Sequence, residues 1–210
     1  MPLPAKTTKR RGRRQGEPVS RDAVLAAAKQ RFASEGFERT TLRAIAQDAH
    51  VDPSMVLYLF GSKEALFRES LRLILDPDAL VAALTGDDDP DIGTRMVRTY
   101  LRIWETPDSA ASMRAMLQSA TSNSDAHDAF RGFVQDYVLT SVSGVLGGDE
   151  HAKLRAMLAA SQLVGTAMLR YIIEVPPLST LSADEVVALI APTVTRYLTA
   201  DAAELKLPEL

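Results

Sequence analysis

The stretch RTTLRAIAQDAHVDPSMVLYLFGSKEALF, Arg39 to Phe67, places three helix starts in 29 residues. The first falls at Thr40 or Thr41, ahead of an inward-facing set of Leu42, Ile45, Ala46 and Ala49. The second is Asp52, a helix-capping residue followed by Pro53 at the first helical position. The third is Ser62, placed directly after Gly61, which ends the helix before it near Phe60. Just upstream, Val24, Ala28 and Phe32 share one face of a first helix capped by Ser20, and Gly36 is a natural stop for it. Two short helices joined by a tight turn under a first helix spell a helix-turn-helix, whose last helix is offered to a DNA major groove. A helix that only has to reach into a groove can be short. Spacing alone also admits a generic three-helix packing unit.

Read as chemistry, this module offers two seats for phosphate. Backbone N–H groups at the start of the second helix, Thr40 to Arg43, join the hydroxyls of Thr40 and Thr41. Ser62 and Lys63 make the other seat, and Arg43 and Tyr58 add backbone contacts. Ser54 and Met55 stand on the early turn that meets base edges, Met55 through apolar contact such as a thymine methyl. Pro53 supplies rigid shape and no donor. Upstream, residues 1–19 carry Lys6, Lys9, Arg10, Arg11, Arg13 and Arg14. That arm has nothing to bury and is expected to be disordered alone; its charge suits a minor groove or nearby phosphates.

Charge divides the chain. Residues 1–72 hold 14 Lys and Arg against 8 Asp and Glu, a net +6, whereas residues 73–210 hold 10 against 19, a net −9. A basic front faces a polyanion; an acidic rear has another task. Beyond Asp76-Pro77 and the charged loop at residues 86–93 the pattern is helical throughout, roughly over 93–105, 109–121, 126–146, 150–174 and 183–199. The last helix opens with a capping box, Ser182 to Glu185. The expected fold is all-α: an arm at 1–19, a three-helix helix-turn-helix domain at 20–67, a larger helical ligand-binding and dimerisation domain at 68–204, and a tail at 205–210.

The run AAAKQRFASEGFERTTLRAIAQDAHVDPSMVLYLFGSKEALF resembles the DNA-binding module of the TetR family of bacterial transcriptional regulators, over about residues 21–67 without a gap. The pieces RFASEGFERTT, IAQDAHVD and LFGSKEALF carry the likeness. The resemblance implies an all-α homodimer on a palindromic operator, mostly repressing, and released by a small molecule held in the rear domain. The family commonly has a phosphate-touching Tyr at the place of Leu57; here that position is apolar and Tyr58 follows, which leaves the residue making that contact open.

A dimer needs an apolar seam. The last two long helices supply candidates: Ser161, Val164, Gly165, Met168, Tyr171 and Ile172 on one, Val187, Ile190, Val194 and Leu198 on the other. Some of these belong to the monomer core, and periodicity does not apportion them. Two-fold pairing would set two recognition helices one DNA turn apart, roughly 34–36 Å. Candidates for an effector pocket are Met96, Tyr100, Trp104, Met113, Met116, Leu117, Phe130, Phe133, Tyr137 and Gln162. Each is also an ordinary core residue; together, their Met and aromatic content suits an apolar or amphipathic effector.

Other classes find little support. The chain has no Cys, and His50, His127 and His151 stand apart without ligand spacing, so no metal, cofactor or catalytic site is expected. No apolar run has the length of a membrane span and no secretory h-region follows the basic start, which reads as cytoplasmic. Two alternatives remain: a non-specific architectural DNA binder, and a helical interaction module with no DNA role.

Overall fold

The computed structural model describes residues 21–86, 91–148 and 150–209. The arm residues Lys9, Arg10, Arg11, Arg13 and Arg14 lie outside these. Every regular element among the described residues is helical: α1 (Arg21–Arg39), α2 (Leu42–Asp48), α3 (Pro53–Phe60), α4 (Lys63–Leu71), α5 (Pro77–Thr85), α6 (Ile92–Glu105), α7 (Pro107–Ser122), α8 (Ser124–Phe133), α9 (Thr140–Val145), α10 (Glu150–Ala167) and α11 (Ala183–Thr199). A wide π turn, Val134–Leu139, joins α8 to α9, and another, Met168–Ile172, ends α10.

The head, α1 to α3, is cut to length by its caps. Ala44 N–H donates to Thr41 Oγ1 at 3.1 Å, Ser54 N–H to Asp52 Oδ1 at 2.8 Å, and Ala65 N–H to Ser62 Oγ at 3.1 Å. Gly61, at φ +78°, ends α3 in the left-handed region that glycine tolerates. Gly36 breaks α1 in the same way at φ +75° and turns Phe37 back under the helix. Phe32, Phe37 and Phe67 then meet as a trio, with edge-on contacts to Phe67 at 5.0 and 5.1 Å. Arg31 clamps α1 to α2 through Asp48, at 2.5 and 2.9 Å, and holds that carboxyl below the usual carboxylate range. The sequence predicts α4 as far as Leu75; the helix stops at Leu71, and Arg72, Leu73 and Ile74 tighten into turns bonded three residues back.

Thr40 corrects the expectation of a phosphate-facing hydroxyl. It is fully buried, and its Oγ1 donates to the Gly36 carbonyl at 2.7 Å, with the Arg31 carbonyl 3.2 Å away. The chain reversal at Gly36 needs that donor inside the head, so Thr41 alone presents a hydroxyl outward.

In the body, α6 packs along α11, α7 lies between α1 and α8, and α10 packs on α9 and α11. The α6–α11 contact is very close. Gly93 N–H donates both to Asp91 Oδ1 at 3.0 Å and to Thr195 Oγ1 at 3.2 Å, and the Thr195 hydroxyl donates in turn to Asp91. A Cβ on Gly93 would collide with the Thr195 hydroxyl and the Ala191 carbonyl. Burial pushes the Asp91 carboxyl up, but the hydrogen bonds from Thr195, Thr94 and Gly93 outweigh it and hold its pKa below the ordinary value. The capping box at Ser182 and Glu185 is formed, at 2.7 and 3.3 Å. Val187, Val194 and Leu198, expected on a dimer seam, are instead monomer core, because that face of α11 is the one laid on α6 and α10; Ile190 is half-buried against the same core.

Two substitutions test this packing. Gly93→Ala is expected to cost about 1–3 kcal/mol through overpacking, lowering the melting temperature by about 3–10 °C. Thr40→Val is expected to cost about 1–3 kcal/mol by leaving the buried Gly36 carbonyl short of its donor. Hydrogen exchange should place the second loss in α1 and α2; an unchanged melt in either variant contradicts the contact concerned.

Candidate nucleic-acid interface and apolar cavity

One side of the head is left open by this packing. Val56 and Phe60 anchor α3 in the core, and the opposite arc carries Pro53, Ser54, Leu57 and Tyr58. Tyr58 is 84% exposed and Leu57 48%, while Met55 is half-buried at the margin. Leu57 is a surface residue that the sequence pattern did not put among the DNA-facing candidates. Ser54 Oγ donates to Asp52 Oδ1 at 2.6 Å, and that bond, with the Ser54 N–H, keeps the Asp52 carboxyl below its ordinary range. Thr41 and Arg43 are exposed at the start of α2, and Ser62 is half-buried at the start of α4.

Lys63 is a partial correction. Its ammonium lies over the Phe37 ring, 4.3 Å from the centroid, and donates to the Glu38 carbonyl at 3.3 Å. Burial lowers its pKa against the opposing pull of Glu64 and Glu38. Lys63 therefore fastens α4 to the end of α1 and brings only its remaining donors to a phosphate.

The body holds a cavity of about 120 Å³. Six sequence candidates line it: Met96, Tyr100, Trp104, Met113, Leu117 and Phe130. The four others do not. Met116 and Phe133 are fully buried in the core beside it, Gln162 is half-buried away from it, and Tyr137 turns to α4, where its hydroxyl donates to Glu69 Oε1 at 3.1 Å. Leu75, Leu80, Val138, Val142 and Ala159, none of them a sequence candidate for the pocket, complete much of the wall, with Leu163 beside them. Among the described residues, no side chain carrying a formal charge at neutral pH lines it. Burial pushes the Tyr100 phenol up to about 12, with the adjoining Trp104 indole pulling slightly the other way. The indole itself stacks flat on Tyr171 at 5.5 Å, and among the described residues its buried Nε1–H is not aligned on any acceptor.

Tyr171, a seam candidate, is half-buried, with its ring stacked on Trp104 within the monomer. Of the other seam candidates, Ser161, Val164, Gly165, Met168 and Ile172 are exposed, and Met157, Leu169, Ile173, Val175 and Leu189 extend the exposed apolar surface of this part of the body. Val164 and Met168 are at once exposed and part of the cavity wall. The cavity is linked to the head by α7. Met113 and Leu117 line the cavity, and two residues further on Ser119 Oγ accepts the Phe37 N–H at 3.0 Å.

Among the described residues, no group of His, Asp and Glu is arranged to hold a metal ion, and no helix is long and apolar enough to cross a membrane.

Comparison with known proteins matches both parts. The family described as bacterial regulatory proteins, tetR family, covers residues 24–70, and the tetracyclin repressor-like C-terminal domain covers residues 90–198. The HTH-type transcriptional regulator RutR of Escherichia coli (strain K12) is 44% identical over 71 residues, 34% of this chain and 32% of RutR, so that match spans about a third of the relative. A TetR-family regulator from Streptomyces coelicolor A3 is 35% identical, with a TM-score of 0.61 over 90% of this chain and 99% of that one. Salmonella enterica GusR (17% identical, TM-score 0.61, 88% of this chain and 100% of that one) shares the fold. So does SmeT in its complex with triclosan (19%, TM-score 0.53, 80% and 90%). The similarity runs through the helix-turn-helix and the helical body alike, and the chain belongs to the TetR family of bacterial transcriptional regulators, DNA-binding proteins rather than enzymes.

Proposed function

We propose that this chain is a homodimeric repressor that holds a palindromic operator with two copies of α3 and leaves it when a small, uncharged, apolar molecule enters the cavity of the body. The observation that carries the reading is the open arc of α3, presented by a head whose hydrogen bonds and aromatic trio fix its orientation. The basic arm at residues 1–19 adds contacts to phosphate or the minor groove, and the acidic rear stays clear of the duplex. The exposed apolar residues Met157, Val164, Met168, Leu169, Ile172, Ile173 and Leu189 supply the surface that a second copy covers.

The effector reading rests on the lining. A wall without a charged side chain offers no counter-ion, so burying a carboxylate or ammonium there carries a desolvation cost that nothing offsets. A cavity of this size takes a compact molecule, of the order of one ring. SmeT, of the same fold, is seen with triclosan, which is consistent with an apolar effector here.

Selection of bound fragments from a genomic DNA library tests the operator reading: a shared inverted repeat should emerge, bound much more tightly than random duplex at a stated salt concentration. Comparable affinity for random DNA would mean an architectural role. Ile173→Asp combined with Leu189→Asp should give a single-chain species in sedimentation and weaken operator binding by more than tenfold; a dimer that survives both places the seam elsewhere. Small neutral aromatics at a hundredfold excess over Kd should raise the melting temperature by about 5–10 °C and release the operator, while their carboxylated counterparts do neither. Equal effects from charged and neutral members would contradict the cavity assignment.

A further inference from the structure

The open arc of α3 is chemically unlike a guanine reader. In the major groove, guanine is read by a bidentate Arg or Lys and adenine by a bidentate Asn or Gln, while thymine alone presents a methyl group. The helix PSMVLYLF contains none of those four residues. On its outward arc Pro53 and Leu57 stand one turn apart on one ridge, and Ser54 and Tyr58 on the next. Leu57 is half exposed although Val56 and Phe60 beside it are buried, so it adds little to the core of the head. Ser54 spends its proton on Asp52 and keeps only lone pairs for a base, which suit the amino groups of adenine or cytosine. Tyr58 carries the remaining side-chain donor of the arc.

On the reading that this head binds an operator, we propose that it recognises T·A pairs through their methyl groups: Leu57 packs against the C5-methyl of a thymine in each half-site, with Met55 and Tyr58 flanking it, and α3 reads no guanine by a bidentate contact. Leu57 is then a determinant of sequence and not merely of affinity. Its apolar surface, which gains nothing in water, is covered only when the groove closes over it.

The test uses the full chain and the repeat recovered by fragment selection. Each thymine of one half-site is replaced in turn by deoxyuridine, which removes only the methyl, and each guanine by 7-deazaguanine, which removes the N7 acceptor. Affinity is read by fluorescence anisotropy at fixed salt. One or two deoxyuridine positions should weaken binding about three- to fivefold each, the scale of one buried methyl. In Leu57→Ala those positions should lose their effect while binding to random duplex is unchanged, and Leu57→Met should retain it. Melting curves of both variants should match the parent, since the side chain is outside the core. Insensitivity to every deoxyuridine overturns the assignment, as does a deoxyuridine effect that persists undiminished in Leu57→Ala, or a dominant loss at 7-deazaguanine opposite α3. Failure to enrich any repeat is a different result: it removes the operator reading, and this inference with it.

Discussion

The packing of Phe32, Phe37 and Phe67 is the contact on which the arrangement of this protein depends. It closes the head by joining α1 to α4, and it forms only because Gly36 takes a left-handed conformation and folds Phe37 back. The same residue reaches further: its ring carries the Lys63 ammonium and its N–H donates to Ser119 on α7. One side chain and its own backbone thus sit where the head, α4 and the body meet. Thr40 supports the turn from within by binding the Gly36 carbonyl. The orientation of α3 is set by these contacts, since α2 and α3 are too short to hold themselves.

The body works under a different constraint. The helix pair α6 and α11 is locked by Gly93, Asp91 and Thr195, whereas the space among α6, α7, α8 and α10 is left incompletely filled. Large flat and flexible side chains, Trp104, Tyr100, Met96 and Met113, line that space rather than fill it. Tight packing on one side of the body thus adjoins a void on the other. Val164 and Met168 belong to the void and to the outer surface together, so the wall between the two is one side chain thick there.

Much of the fold can be read from local chemistry. Caps at Thr41, Asp52, Ser62 and Ser182 and the stop at Gly36 follow from side-chain reach and backbone freedom, which are properties of a few adjacent residues. The errors have a common cause: periodicity states which residues share a helix face and is silent on what that face meets. Val187, Val194 and Leu198 share a face that lies on the protein's own core, while Leu189, between them in sequence, points away. Thr40 and Thr41 are equal as cap candidates until the reversal at Gly36 draws one of them inside. Tyr137 would follow Phe130 on one face of a regular helix, but the π turn at Val134–Leu139 adds residues to the turn and hands the cavity wall to Val138. Gly93 leaves no trace in composition, because its importance lies in an approach by Thr195 from 102 residues away.

Helix α7 touches both ends of this design. Leu117 forms part of the cavity wall and Ser119, half a turn later, holds the backbone of the head, with no hinge residue between them. A helix does not compress along two residues, so this short segment has no means of absorbing a push locally. A displacement of the α7 backbone at Leu117 that left the helix intact would therefore bear on the bond to Phe37, half a helical turn away.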